Sequence, residues 1–158
     1  AQAVAARVAI AMTGADPEAI IDAGLQQIPE DSWLGRAMAR AMGICEEAQT
    51  IERAWERLHT DLWTPTHSAC AEAIPQTYAI FRLTHGEFRE GMFWAANFGR
   101  DADTISAVVG ALSGARHGVD VIPREWIEKV RKPSGVCLRF TAGEDVLLIA
   151  EQLAALIR

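Results

Sequence analysis

Apolar residues recur with the spacing of an α-helix along nearly the whole chain, and no stretch of convincing length alternates as a strand does. The connections between helical stretches are short, and no internal repeat is visible. The predicted helices cover residues 3–13, 16–29, 32–44, 50–58, 64–86, 87–96, 103–117, 123–131 and 141–158, with 135–140 as a loop. This pattern predicts an all-α protein with no domain boundary inside residues 1–158.

Capping residues mark the start of several of these helices. Asp16 stands where a helix cap is expected, and Pro17 follows it in the first helical position. Ser32 and Thr50 can cap the next two helices in the same way. Residues 141–144 have the spacing of a capping box, so we expect the last helix to begin there and to run to the end of the chain.

Two helices show where the core should lie. Trp33, Ala37, Ala41 and Ile44 fall on one face of their helix. The apolar spacing of residues 64–86 is typical of a buried helix. Pro75 must either kink that helix or lie in its first turn.

Composition and charge exclude several kinds of protein. Half of the 158 residues are hydrophobic, which suits a domain with a sizeable core, and the formal net charge is −6. An acidic chain without a basic cluster is a poor candidate for binding nucleic acid, and no apolar run is long enough to cross a membrane. No stretch reads as a signal peptide.

The cysteines indicate a reducing compartment. Cys45, Cys70 and Cys137 are odd in number and lack the spacing of metal ligands. We expect three reduced, packed thiols in a cytoplasmic protein. The histidines also lack paired spacing, so a zinc site is not expected.

The stretch NFGRDADTISAVVGALSGARHG, residues 97–118, carries the chemistry. Asp101, Asp103 and Thr104 stand together at the start of a helix rich in small residues. A structural interpretation is a helix cap, with Gly110 and Gly114 allowing close packing. That interpretation leaves more oxygen donors than one cap needs, and carboxylates with a hydroxyl suit Mg²⁺ or Mn²⁺. The residues alone leave both interpretations open.

This stretch resembles the signature of the ADP-ribosylglycohydrolase family. The family has Asn-x-Gly-Gly-Asp-x-Asp-Thr followed by a helix of small residues, and residues 97–118 match most of it. Upstream, EAIPQTYAIF resembles the family's Glu-x-Val/Ile-Pro-x-Ala helix, so the similarity spans most of the chain. Arg100 replaces the usual second glycine. It could reach a substrate phosphate, pair with a carboxylate or remain solvated.

The resemblance implies a compact orthogonal helix bundle that uses two divalent cations, Mg²⁺ or Mn²⁺, to remove ADP-ribose from a modified side chain, most often arginine. Asp101, Asp103 and Thr104 would be metal ligands, with Asp101 and Asp103 as the catalytic pair. Asn97 and Gly99 would shape the turn. His67 would face the cleft or be a structural histidine.

The resemblance also implies that half of the metal ligands lie in an N-terminal segment. We find no such segment in the sequence, so we expect residues 1–158 to form a single all-α unit that is the C-terminal half of a larger hydrolase domain. The expected partners are that N-terminal half and an ADP-ribosylated protein or small molecule. Without the other half, we expect weak metal binding and no turnover. A hydrolase of another N-ribosyl nucleotide and a non-catalytic relative remain alternatives.

Overall fold

A computed structural model describes residues 1–157. Its regular elements in this range are all helical, which confirms the all-α prediction. The α-helices are α1 (Gln2–Ala11), α2 (Pro17–Leu25), α3 (Trp33–Ala48), α4 (Ile51–Thr60), α5 (Cys70–Leu83), α6 (Phe88–Asn97), α7 (Ala102–His117), α8 (Arg124–Val130) and α9 (Val146–Ala154). No helix among these residues is long and apolar enough to span a membrane.

Contacts divide the chain into two units, Ala1–Val121 and Ile122–Arg158. The first contains α1 to α7, and the second contains α8 and α9. Each unit is described by itself. That residues 1–158 form a single unit stays a prediction.

Helix α5 is the central element of the first unit, and it contacts α2, α3, α4, α6 and α7. Most of its side chains are buried, as its apolar spacing predicts. Pro75 lies inside α5, beyond the first turn. Because proline has no N–H, the carbonyl of Ala71 lacks its usual helical donor there.

Two apolar clusters form the core of the first unit, and α5 contributes to both. Ala79 and Ile80 point into one cluster, whereas Tyr78 and Phe81 point into the other. The first cluster is built around α3, α4, α6 and α7, and the second around α1 and α2. The sequence predicts Trp33 on the buried face of α3, but Trp33 is 57% exposed. The buried face of α3 includes Met38 instead.

The helix starts follow the sequence closely in this unit. Asp16 accepts a hydrogen bond from the Ala19 N–H at 2.8 Å, and Ser32 accepts one from the Gly35 N–H at 2.9 Å. Thr50 occupies the cap position of α4, but its side chain makes no capping bond. Two of the three predicted caps are therefore confirmed as hydrogen-bonded caps.

Helices α6 and α7 pack closely against each other. A Cβ atom added at Gly91 would lie 2.9 Å from Val109 Cγ1, and one at Gly110 would lie 3.0 Å from Met92 Sδ. The predicted packing role is thus confirmed at Gly110. It is wrong for Gly114, where an added Cβ would meet no described atom within 4 Å.

The second unit contradicts the predicted capping box. Helix α9 begins at Val146, and its cap is Asp145, whose Oδ1 accepts a hydrogen bond from the Leu147 N–H at 3.1 Å. Thr141 lies instead in a short 3-10 turn. Asp145 also pairs with Arg131 at 2.7 Å, so the same carboxylate starts α9 and ties it to the end of α8.

All three cysteines are unpaired, as predicted. Only Cys45 is packed, and burial raises the pKa of its thiol to about 12. Cys70 and Cys137 are exposed, so the expectation of three packed thiols is wrong for these two.

Candidate functional site

A sharp loop between α6 and α7 presents the predicted metal ligands. Phe98 anchors its start and is only 2% exposed. Gly99 and Arg100 follow with φ angles of 78° and 54°, both in the left-handed region. Asp101 then takes the cap position of α7. Glycine adopts this backbone freely, whereas an arginine needs other contacts to hold it there.

The three predicted ligands lie at the start of α7. Asp101 is 8% exposed, Thr104 is half-buried and Asp103 is exposed. Although Asp101 is at the cap position, its side chain makes no capping bond. No hydrogen bond to a described residue engages the side chains of Asp101, Asp103 or Thr104. The fold therefore does not use these oxygen atoms, which disfavours the interpretation of the motif as a cap.

Arg100 pairs with a carboxylate, one of the outcomes the sequence leaves open. Its Nε donates to Glu72 Oε1 at 2.6 Å and its Nη2 donates to Glu72 Oε2 at 2.9 Å. Nη2 also donates to the Thr64 carbonyl at 2.6 Å. The guanidinium lies 5.6 Å from the centre of the Trp63 ring. Arg100 thus joins the loop to the start of α5 and to the connection before it.

Glu72 is the buried centre of this network, with no exposure of its side chain. Besides Arg100, the Thr64 N–H and Oγ1 donate to its Oε2 at 2.7 and 2.8 Å. Burial by itself raises the pKa of Glu72, but the hydrogen bonds from Arg100 and Thr64 outweigh it. The pKa of Glu72 therefore lies below its ordinary value of 4.5.

A second contact fixes the start of the loop to α4. The Phe98 ring stacks on the His59 ring, with centres 4.0 Å apart and planes 14° apart. The two His59 ring nitrogens lie 2.8 Å from the Trp55 carbonyl oxygen and 2.7 Å from that of Phe98. The loop is therefore held at Phe98 by α4 and at Arg100 by α5.

The other predicted site residues surround the loop in different ways. Asn97 ends α6, and its Nδ2 donates to the Phe93 carbonyl at 2.8 Å. Gly99 supplies the left-handed turn, and an added Cβ would meet no described atom within 4 Å. His67 is exposed in the connection between α4 and α5. This exposure does not suit a packed structural histidine, and whether His67 faces a cleft stays a prediction.

A cavity of about 240 Å³ lies beside the Arg100 network. Trp63 and Thr64 line it together with Trp33, Arg36 and Arg40. Trp63 and Trp33 are each 57% exposed there. The cavity thus combines aromatic faces with two arginines, and Arg40 pairs with Asp61 in the same wall at 3.4 Å.

Sequence reasoning missed Glu72, Thr64 and His59 as supports of the loop. A glutamate inside the apolar helix EAIPQTYAIF was a signal that something must neutralise it. Nothing in the spacing named Arg100 as its partner, because the two residues are 28 positions apart.

The donor set suits a hard divalent cation, since carboxylate and hydroxyl oxygens are the ligands that Mg²⁺ and Mn²⁺ prefer. Within residues 1–157, no group of three or more His, Cys, Asp or Glu side chains is placed to hold a metal ion. Asp101 and Asp103 are thus two candidate acidic ligands, and the described residues place no third beside them.

The ADP-ribosylglycohydrolase family model matches residues 1–158. The ADP-ribosyl-[dinitrogen reductase] glycohydrolase of Rhodospirillum rubrum is 33% identical over 58% of this chain and 31% of its own length. The ADP-ribosylarginine hydrolase Tri1 of Pseudomonas putida is 26% identical over 82% of this chain and 30% of its own length. The uncharacterized protein YegU of Escherichia coli is 33% identical over 52% of this chain and 24% of its own length. No solved structure gives a significant match.

The matched regions cover under a third of the length of each of these relatives. The match to the family model covers every residue, and it includes the loop from Asn97 to Thr104 together with Glu72. The chain belongs to the ADP-ribosylglycohydrolase family.

Proposed function

We propose that this chain supplies one half of a two-cation site in a hydrolase that releases ADP-ribose from a modified arginine side chain. The observation that carries the proposal is that the side-chain oxygen atoms at the start of α7 make no hydrogen bond to a described residue. Asp101, Asp103 and Thr104 are presented by a tightly held loop, yet no described residue engages their side chains. Carboxylate and hydroxyl oxygens that the fold leaves free in this way are available to a hard divalent cation.

Asp101, Asp103 and Thr104 would hold the cations. When bound, the two divalent cations supply positive charge that orients sugar hydroxyls and makes water more acidic. Gly99 shapes the turn before the ligands, and Asn97 closes the helix that leads into it. In the reaction, water adds to ribose C1 and the bond from C1 to the arginine nitrogen breaks. The nitrogen takes up a proton, and free ADP-ribose leaves.

The remaining ligands would come from the part of the protein that corresponds to the rest of its relatives. One side of α7 supports this arrangement. Asp103, Ala107 and Ala111 recur at intervals of four residues on this side, and all three are exposed. A second segment could therefore approach the helix closely beside Asp103. We expect residues 1–158 alone to bind Mn²⁺ weakly and to show no turnover.

The names of two relatives support the substrate that we propose. One is named for ADP-ribosyl-[dinitrogen reductase] and another for ADP-ribosylarginine. An N-glycosidic bond to arginine in an ADP-ribosylated protein is therefore the substrate we propose. The cytoplasm is the location we propose, because Cys45, Cys70 and Cys137 are all unpaired.

The decisive experiment measures release of ADP-ribose from an ADP-ribosylated arginine peptide by the full-length protein. We expect activity with Mg²⁺ or Mn²⁺, none after chelation, and none in Asp103→Asn. The matched control is Asp120→Asn, which removes an exposed carboxylate just beyond α7 and should leave the activity unchanged. Activity without divalent cations, or full activity in Asp103→Asn, would contradict the proposal.

The same assay tests the two alternatives. Turnover of an N-ribosyl nucleotide in preference to the arginine peptide would favour a different substrate. Mn²⁺ binding without turnover of any substrate would favour a non-catalytic relative.

A further inference from the structure

Arg100 occupies a backbone conformation that a side chain normally disfavours. Its φ of 54° directly follows the φ of 78° at Gly99, so two successive residues are left-handed just before Asp101. In an L-residue this conformation brings Cβ close to the following carbonyl oxygen. Such a residue persists where its surroundings determine its position.

The surroundings here are a buried acidic residue and its helix. Glu72 lies in the first turn of α5 and is fully buried, and it binds Arg100 through two parallel hydrogen bonds of 2.6 and 2.9 Å. Paired N–H donors of arginine match the two oxygens of a carboxylate, which fixes direction as well as distance. Lysine cannot reproduce this geometry, because its ammonium group is a single point charge.

Thr64 completes the network on the other side. It donates to Glu72 Oε2 from both its N–H and its hydroxyl, and its carbonyl accepts from Arg100 Nη2. The partners of the buried Glu72 carboxylate therefore lie in two loops, because Thr64 and Arg100 are both outside the helices. One loop precedes α5, and the other carries Asp101.

We propose that Arg100 and Glu72 are positioning residues for the cation site. They hold the left-handed turn so that the Asp101 backbone, one residue later, starts α7 in a single orientation. The proposal rests on the proposed function, because it takes Asp101 and Asp103 to be cation ligands. Neither Arg100 nor Glu72 is itself a ligand, since their charged groups are already bound to each other.

The test makes two measurements on the full-length protein. Electron paramagnetic resonance gives the dissociation constant of Mn²⁺, and thermal unfolding without metal gives the melting temperature. We expect Arg100→Ala to weaken Mn²⁺ binding by about tenfold or more, as loss of a supporting contact does in other metal sites. Arg100→Lys should restore part of the stability but little of the affinity. The double variant Arg100→Gly/Glu72→Gln removes two unfavourable features together. Glycine adopts the left-handed conformation of residue 100 without strain, and glutamine carries no buried charge. It should fold even if a single variant does not, and its affinity should be no lower than that of Arg100→Ala.

Arg82→Ala is the matched control for a structural ion pair. Arg82 is at the other end of α5, its side chain is 22% exposed, and it pairs with Glu18 at 2.9 Å. We expect this variant to lower the melting temperature and to leave the Mn²⁺ affinity unchanged.

Two results separate the inference from the proposed function. If the wild-type protein binds Mn²⁺ and a folded Arg100→Ala variant binds it equally well, the ion pair only stabilises the fold and the inference is wrong. If the wild-type protein binds no divalent cation, the proposed cation site is wrong and the inference falls with it.

Discussion

Glu72 shows how a single buried charge can be compatible with a stable fold. Removing a carboxylate from water is unfavourable, and only complete hydrogen bonding offsets the loss of hydration. Both oxygens of Glu72 have donors, from Arg100 and from Thr64. The carboxylate is therefore best tolerated in its charged form, as the direction of its pKa also indicates.

This residue makes stability depend on pH in a defined direction. The pKa of Glu72 is below 4.5 in the folded protein, so an unfolded chain takes up its proton first on acidification. The contribution of Glu72 to the free energy of unfolding is then complete above pH 4.5, and it is lost as the pH falls through the lower, folded pKa. In thermal unfolding, Glu72→Gln should be less stable than wild type at neutral pH, and the difference should shrink below pH 4.5.

Glu47→Gln is the control, because Glu47 is an exposed partner of Arg57. Exposed pairs contribute little to stability, so this variant should follow wild type at every pH. A difference between wild type and Glu72→Gln that stays constant into strong acid would contradict the assignment.

At the scale of residues, the sequence indicates candidate ligands better than the residues that support them. Asp101, Asp103 and Thr104 are neighbours along the chain, so one motif indicates all of them. Arg100 and Glu72 come together only because α5 and α7 pack side by side. A single sequence contains no direct signal for such a long-range pair.

Helices α1 and α2 meet at a glycine that has no room for a side chain. A Cβ atom added at Gly24 would lie 2.1 Å from Arg7 Nε. Arg7 is fully buried, its guanidinium carbon lies 3.3 Å from the centre of the Tyr78 ring, and its Nε donates to the Ile21 carbonyl. The arginine therefore cannot retreat without losing those contacts.

Two glycine-to-alanine variants should have opposite effects on stability. Gly24→Ala should lower the free energy of unfolding by about 1–3 kcal/mol, because the added methyl displaces Arg7. Gly43→Ala should raise it by about 0.5–1 kcal/mol, because Gly43 lies inside α3 and an added Cβ would meet no described atom within 4 Å. Urea unfolding measures both. A neutral Gly24→Ala would show that Arg7 repacks freely.

At the scale of elements, the positions of the helices could be predicted and some of their ends could not. Local signals at Asp16 and Ser32 specify real caps, because the capping bond lies within a few residues. The predicted start of α9 at residues 141–144 is wrong, because the residue that caps the helix is Asp145. Asp145 is the residue that also pairs with Arg131, which a capping pattern does not reveal.

The two apolar clusters of the molecule lie wholly within the first unit, Ala1–Val121. The described part of the second unit contains no buried residue. Since burial of apolar surface is the main driving force of folding, these two units should differ in their ability to fold alone.

We therefore predict that a protein shortened to residues 1–121 folds and unfolds in one cooperative transition. A peptide of residues 122–158 should show little helix by circular dichroism in water, since short helices without a core are marginal. If the protein shortened to residues 1–121 melts without a cooperative transition, the prediction that the first unit folds alone is wrong.

The unused oxygen atoms of Asp101, Asp103 and Thr104 also bear on how the protein evolves. Since no described residue forms a hydrogen bond with these side chains, an isosteric substitution there removes no hydrogen bond that holds the bundle. Natural selection can then preserve them only through what they bind. In a lineage that no longer needs the reaction, they should drift while Glu72 and the apolar clusters persist.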